Sequence, residues 1–285
     1  MIGTDPHLPA PVWFVTGCST GLGRALSSRV LAAGDRVALT ARDPSTLDDL
    51  VAGHPGAAIA LPLDVTRPSE IEFAVAAATK TFGTIDVLVN NAGYAYFAPA
   101  EEGDDSAVRA MFDVNFFGLA AMTRAVLPAM RARRRGTIVN ISSIAGLTAS
   151  AGAAYYAASK FAVEGFSEGL ALDVEGLGIR VIAVELGQFR TRFVASTRSE
   201  PDRWHPDYAA TVGARRAYVR GRGGREPGDP ERAAAAIYAA ANSLAPPARL
   251  VLGNEALASA RRKVATLASQ VDAIEAIARS TDFPG

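Results

Sequence analysis

The 285-residue chain has one cysteine, Cys18, so no disulfide can close within it and the redox compartment is not constrained that way. Histidine is almost as scarce. His7, His54 and His205 lie far apart, and none has the spacing of a metal ligand. Neither charge is in excess, with 29 Lys and Arg against 29 Asp and Glu. A nucleic-acid or membrane-surface protein carries a basic footprint, so neither partner is expected. No uninterrupted apolar run is long enough to span a bilayer. Residues 1–11 hold three prolines and no positively charged region ahead of an apolar stretch. They read as a flexible leader and not as a signal peptide, which makes a cytoplasmic location the expectation.

The chain is instead rich in short apolar runs alternating with helical periodicity. Runs at Val12–Thr16, Arg36–Thr40, Ala57–Leu63, Ile85–Val89, Thr137–Ile141, Arg180–Val184 and Arg249–Leu252 read as strands. Between them, Leu22–Ala33, Pro44–Val51, Pro68–Phe82, Ser106–Arg134 and Tyr155–Leu177 can hold helices. Asp229-Pro230-Glu231 supplies an N-cap, a first-turn proline and an acid, so another helix starts there. Strands that are apolar throughout belong to a parallel sheet covered on both faces. The expected fold is therefore α/β, a Rossmann-type doubly wound sheet flanked by helices, in a single domain over 12–285. Residues 188–228, rich in Arg, Gly and Pro, follow a strand's carboxyl end and read as a substrate lid. Ala260, Val264, Leu267, Val271, Ile274 and Ala278 keep 3–4 spacing, predicting a C-terminal amphipathic helix over about 254–279 that packs on its own domain, with docking on a partner subunit as the alternative.

Thr16-Gly17-Cys18-Ser19-Thr20-Gly21-Leu22-Gly23 joins the first strand to the first helix. Glycines there let the backbone approach a pyrophosphate at the helix N-terminus, where N–H groups are free. An NAD site places an acid at the end of the second strand to grip the ribose. This chain has Thr40-Ala41-Arg42, and Asp43 reads as the opening of the next helix with Pro44. A guanidinium at that tip favours NADP(H) over NAD(H). Tyr156 and Lys160 stand at i and i+4 on one helix. A cation ~4 Å from a phenol, at an effective dielectric near ~20, contributes about 4 kcal/mol, which is up to about three pKa units. Lys160 is therefore expected to bring Tyr156 into the range of acid–base catalysis, and Tyr155 to point elsewhere.

The glycine pattern of residues 16–23, Asn90-Asn91-Ala92-Gly93, Asn115, Ser142-Ser143 and Tyr156 to Lys160 together resemble the short-chain dehydrogenases/reductases, over about Val12 to Thr191. The spacing is that of the short branch, and residues 16–23 and 40–43 look most like the 17β-hydroxysteroid dehydrogenase type of NADP(H) enzyme, a likeness that assigns no steroid substrate. The resemblance implies that Tyr156 exchanges the proton with the substrate oxygen. Lys160 lowers its pKa and holds the nicotinamide ribose, Ser143 binds the substrate oxygen, and Asn115 holds a relay water. It implies a cofactor site of Gly17, Ser19, Thr20, Gly21, Leu22, Gly23, Arg42, Asp64, Val65, Asn91, Ala92, Gly93, Tyr156, Lys160, Gly187, Phe189 and Thr191. It also implies a homodimer or homotetramer through the long helices. Where the family usually has Pro-Gly this chain has Leu186-Gly187, which leaves the contacts of Gln188, Phe189 and Thr191 open.

The expected activity is NADP(H)-dependent interconversion of a ketone or aldehyde and a secondary alcohol. An NAD(H)-linked alcohol dehydrogenase and a non-catalytic NADP(H)-sensing regulator are the alternatives. Nine arginines in the lid suit an anionic substrate or, more simply, a solvated loop. Arg131, Arg133, Arg134 and Arg135 end a long helix, where cations complement the dipole, and read as a solvated cap.

Overall fold

The computed structural model describes residues 10–191, 193, 198–199 and 204–283. Residues 1–9 of the expected leader, and 192, 194–197 and 200–203 of the expected lid, lie outside them.

In chain order the strands are β1 (Val12–Val15), β2 (Arg36–Ala41), β3 (Ala58–Pro62), β4 (Val87–Asn90), β5 (Tyr96–Phe97), β6 (Gly136–Ile141), β7 (Ile179–Leu186), β8 (Arg198–Ser199) and β9 (Arg249–Leu252). Seven of them form one parallel sheet in the order β3-β2-β1-β4-β6-β7-β9. Every residue of β1, β4 and β6 is buried, because helices cover both faces. On one face α1 (Gly21–Ala32) and α8 (Pro230–Ala241) share a core in which Leu26 and Val30 lie with Ala234 and Ile237. On the other, α3 (Pro68–Phe82), α5 (Leu119–Arg133) and α6 (Ala154–Asp173) bring Ile71, Met122, Met130 and Leu170 onto Phe14, Leu88 and Ile138.

Local chemistry sets these boundaries. Pro68 opens α3, and Gly83, at φ +82°, closes it with its N–H donating to the Thr79 carbonyl at 2.8 Å. Asp229 caps α8 by accepting from the Glu231 N–H at 2.8 Å. The chain runs outward from β1 to β2 and β3, then returns to β4 on the other side of β1. That reversal leaves a crevice at the carboxyl ends of β1 and β4.

Two expectations are corrected, and a third holds with a detail added. The Ser106–Arg134 region is helical, unbroken from 105 to 133. It consists of α4 (Asp105–Phe112), a π-helical turn over Asp113–Gly118, and α5. By length and composition the 105–133 stretch does qualify to cross a membrane, but Met111, Leu119, Met122, Val126 and Met130 bury one side of it in the core. The tail helix α9 (Asn254–Ala273), followed by the short α10 (Glu275–Arg279), does not pack along its own domain. Only Ala256 is buried, and every residue from 261 to 283 is exposed. The basic end of α5 does behave as an exposed cap, with Arg133 donating to the Ile85 carbonyl at 2.8 Å.

The sheet is tied to α8 by one polar triad. Trp13 stacks on Tyr238 at 5.4 Å, and both donate to the Asp35 carboxylate, the indole at 3.1 Å and the phenol at 2.8 Å. Burial raises the Asp35 carboxyl above its usual range in spite of these donors. Trp13→Ala removes the stack and one donor from a fully buried site. It should lower the unfolding free energy by about 3–5 kcal/mol in a urea titration. A loss below about 1 kcal/mol would contradict the role given to the triad.

Candidate active site

Residues 16–23 leave β1 and enter α1 through two left-handed glycines, Gly17 at φ +72° and Gly21 at φ +61°. At Gly23 a Cβ would lie 2.3 Å from the Gly17 carbonyl oxygen and 2.5 Å from the Asn91 amide nitrogen, so no larger residue fits. The Thr16 hydroxyl accepts the Asn91 and Ala92 N–H groups, each at 2.9 Å, and the Asn91 amide donates to the Thr16 and Gly17 carbonyls at 2.8 and 3.0 Å. The 90–93 turn is thereby fastened to the glycine loop. Thr20 makes no side-chain cap, and α1 has no acid in its first turn. Its N–H groups and positive dipole end are left for an anion, which is what a pyrophosphate requires.

Arg42 stands exposed at the end of β2, at the mouth of the same cleft. Asp43 is committed elsewhere: its carboxylate accepts from the Ser45 N–H at 3.1 Å and the Ser45 hydroxyl at 2.7 Å, capping the turn Pro44–Leu47. Asp64 accepts from the Thr66 N–H and hydroxyl at 3.0 and 2.7 Å. Burial acts to raise its carboxyl, but those bonds, with Arg67 and Arg42, hold it below the usual carboxylate range.

Tyr156 and Lys160 lie on the buried side of α6, 7% and 6% exposed. The Tyr156 phenol faces Ser143, which acts to lower its pKa, while the Ser143 hydroxyl donates to the Leu186 carbonyl at 3.5 Å. Ser143 itself follows β6 and also accepts from the Ala145 N–H at 3.1 Å. Ser142, its neighbour, is buried away from the phenol, beside Gly146 and Glu164. Electrostatically the pair differs from expectation. Burial pushes Tyr156 up to about 12, only partly opposed by Ser143, and Lys160 does not contribute. The Lys160 ammonium donates to the Ile141 carbonyl at 2.9 Å, and burial brings it down to about 8 with Glu164 opposing. Helical spacing put the two residues on one face, but desolvation and not their mutual attraction governs both groups here. Tyr155 does point elsewhere, donating to the Ala100 carbonyl.

Asn115 sits in the π-helical turn, 1% exposed. Its carbonyl oxygen accepts the Tyr94 N–H at 3.0 Å, and its amide donates to the Tyr94 carbonyl at 2.9 Å and to Ser159 at 3.1 Å. A Cβ on Gly93 would meet Asn115 at 3.0 Å and Lys160 at 3.7 Å, so the three converge behind the phenol. The loop after β7 lacks the proline but is fastened by backbone bonds. Gly228 donates to the Gln188 carbonyl at 3.0 Å, and Arg190 donates to the Gly228 carbonyl at 2.8 Å. Thr191 lies over Gly21, 3.3 Å from where a Cβ would stand.

These parts line one cleft of about 1010 Å³, which every residue expected to hold the cofactor borders, as do Ser143, Tyr156 and Lys160. Asn115 stands behind its wall. Sequence reasoning missed the aromatic walls around the phenol: Phe97 meets Tyr156 edge-on at 5.8 Å, and Phe193 meets it at 5.9 Å. In the lid, α7 (Ala214–Gly221) turns Arg215 and Val219 toward the cleft, with Arg222 just beyond its end. Arg222 is paired with Glu255 at 2.9 Å, and Arg216 lies over the Trp204 ring at 4.7 Å. Arg222 and Arg216 are thus engaged within the protein.

A family model described as short chain dehydrogenase matches residues 11–202. Over 260 residues the chain is 36% identical to oxidoreductase BOA17 of Botryotinia fuckeliana, covering 90% of this chain and 94% of that protein. It resembles a solved short-chain dehydrogenase from Streptomyces avermitilis at 41% identity and a TM-score of 0.89, covering 98% of this chain and 100% of that one. A serine dehydrogenase solved with NADP+ matches at 29% identity and a TM-score of 0.73, covering 85% and 94% of the two chains.

One carboxylate at the back of the site gives a pH signature. Arg249 binds Glu164, Glu168 at 2.9 Å and the fully buried Glu185 at 3.2 Å. Burial and the nearby Glu164 push Glu185 from 4.5 up to about 7. Between those values the folded chain keeps a proton that the unfolded chain has released, so stability falls as pH rises through this window. Thermal melts across it should show that decline, and Glu185→Gln should flatten it. An unchanged slope in the variant would contradict the assignment.

Proposed function

The chain belongs to the short-chain dehydrogenase family, and on that premise we propose that it is an NADP(H)-dependent oxidoreductase that interconverts a ketone or aldehyde and an alcohol. The observation that carries this reading is the Tyr156–Ser143 hydroxyl pair, set in the same cleft that the glycine loop borders. Gly17, Gly21, Gly23 and the first turn of α1 would hold the pyrophosphate. Asp64 and residues 91–93 would hold the adenosine side, Lys160 the nicotinamide ribose, and Gly187, Phe189 and Thr191 the nicotinamide. When bound, that cofactor supplies or takes up a hydride.

The protein's own task is the proton. A phenol with its pKa near 12 keeps its proton at neutral pH, so Tyr156 is poised as the acid that protonates the substrate oxygen in reduction. Ser143 donates a second hydrogen bond to that oxygen and so positions it. Lys160, still protonated at pH 7, is the next proton source behind the phenol. Asn115, fixed by Tyr94 and Ser159, would hold the water that refills it. The Phe97 and Phe193 walls favour a carbonyl compound with an apolar body. Arg42, with Asp43 engaged in its own turn, favours the 2′-phosphate of NADP(H). Phe117 and Phe161, 57% and 44% exposed, support a homodimer or homotetramer through the helices that carry them.

Parallel assays with NADPH and NADH over a panel of ketones test the reading. Tyr156→Phe should lower kcat by about 10²–10⁴-fold and leave NADPH binding intact. Arg42→Ala should raise the KM for NADPH by about tenfold and change that for NADH little, the loss of one charge-assisted phosphate contact. Full activity in Tyr156→Phe, or tighter binding of NADH than NADPH by the wild type, would overturn the respective assignment.

A further inference from the structure

Beyond its first turns, where Glu255 pairs with Arg222, the tail helix is a pairing surface with no partner among the described residues of its own domain. Leu257, Ala260, Val264, Leu267, Val271, Ile274 and Ala278 follow one another at spacings of 3, 4, 3, 4, 3 and 4 residues, which is the seam of a coiled coil. Val264 is 68% exposed, Leu267 51%, Val271 56% and Ile274 52%. The helix is anchored only by its first turns, at Ala256 and the half-buried Ser259 and Ala260. Most helical stability in proteins comes from packing an amphipathic face, and every residue of this helix from 261 onward is exposed, so its seam calls for a partner.

The charges flanking the seam say which partner. Arg261, Arg262 and Lys263 are basic at one end, and Asp272, Glu275 and Asp282 outnumber Arg279 at the other, where Arg279 holds one Glu275 oxygen at 2.6 Å and leaves the second for a partner. A parallel pair of these helices would set like charges side by side. An antiparallel pair sets each basic end against the other copy's acidic end, and a two-fold axis produces that arrangement from identical chains. With Val264 facing Ile274 and Leu267 facing Val271 of the second copy, Arg261 and Glu275 both fall on the position that flanks the seam and meets its own kind across the pair. The contact Arg261–Glu275 is then made twice.

We propose that the tail, α9 with the turn at Ile274 and the start of α10, docks antiparallel on the same tail of a second copy of this chain, forming an isologous interface separate from any made by Phe117 and Phe161. Its occupant is neither a membrane nor an unrelated peptide, because the complementary charge pattern is contained within the helix itself.

Light scattering and sedimentation of the full chain test this at low ionic strength. Leu267→Asp with Val271→Asp should halve the particle mass while circular dichroism of the folded domain is retained. Glu275→Arg alone should weaken association about tenfold, since two attractions become two repulsions, and Arg261→Glu alone should do the same. The double exchange Arg261→Glu with Glu275→Arg should restore association to within about threefold of the wild type. The proposal is overturned if the seam variant leaves the mass unchanged, or if the double exchange associates no better than either single variant. Vesicle binding or peptide capture through the seam without self-association overturns it as well.

Discussion

The Thr16 hydroxyl, shared between the N–H groups of Asn91 and Ala92, is the contact on which the site depends. It joins the carboxyl ends of β1 and β4, the two strands between which the order of strand addition reverses. Once those ends are tied, Asn91 can reach back to the Thr16 and Gly17 carbonyls, and Gly23 must be a glycine because nothing else fits beneath them. The N-terminus of α1 and Gly93, where a Cβ would meet both Asn115 and Lys160, take their position from this junction. It is a small set of hydrogen bonds, but they lie in a buried setting where each broken one leaves a polar group unsatisfied.

Around the Tyr156 phenol the controlling influence is burial. Tyr156 is flanked by Phe97 and Phe193 and reached by Ser143, while Lys160 bonds to the Ile141 carbonyl. Desolvation moves the two groups in opposite directions, the phenol up to about 12 and the ammonium down to about 8. Both changes favour the neutral form. A phenol in that state is an acid in waiting, which suits carbonyl reduction. Deprotonating it for alcohol oxidation requires a nearby positive charge to offset that burial.

Much of this was legible before the structure. The apolar strands stand out because a sheet covered on both faces needs no polar alternation, and the glycine loop and the Tyr156–Lys160 spacing are local signals. Features produced by tertiary demands were not legible. The π-helical turn exists where Asn115 reaches the Tyr94 backbone, a requirement that propensity along Ser106–Arg134 does not register. The walls of the cleft come from Phe97 and Phe193, nearly a hundred residues apart and brought to one ring by the fold. Helical spacing made Tyr156 and Lys160 neighbours but said nothing of the Ile141 carbonyl that engages the ammonium. The amphipathic tail was read correctly as a helix and wrongly as one that packs on its own domain, because periodicity reveals an apolar face and not what covers it.

The central claim is that one cleft presents a hydride donor and the Tyr156 proton to the same carbonyl group. The most direct measurement is mass spectrometry of the alcohol formed from a ketone with NADPH carrying deuterium at the transferable position. The account predicts one deuterium on the carbinol carbon, with the hydroxyl proton drawn from solvent. A chain that binds NADPH tightly but transfers no deuterium to any ketone or aldehyde would contradict it.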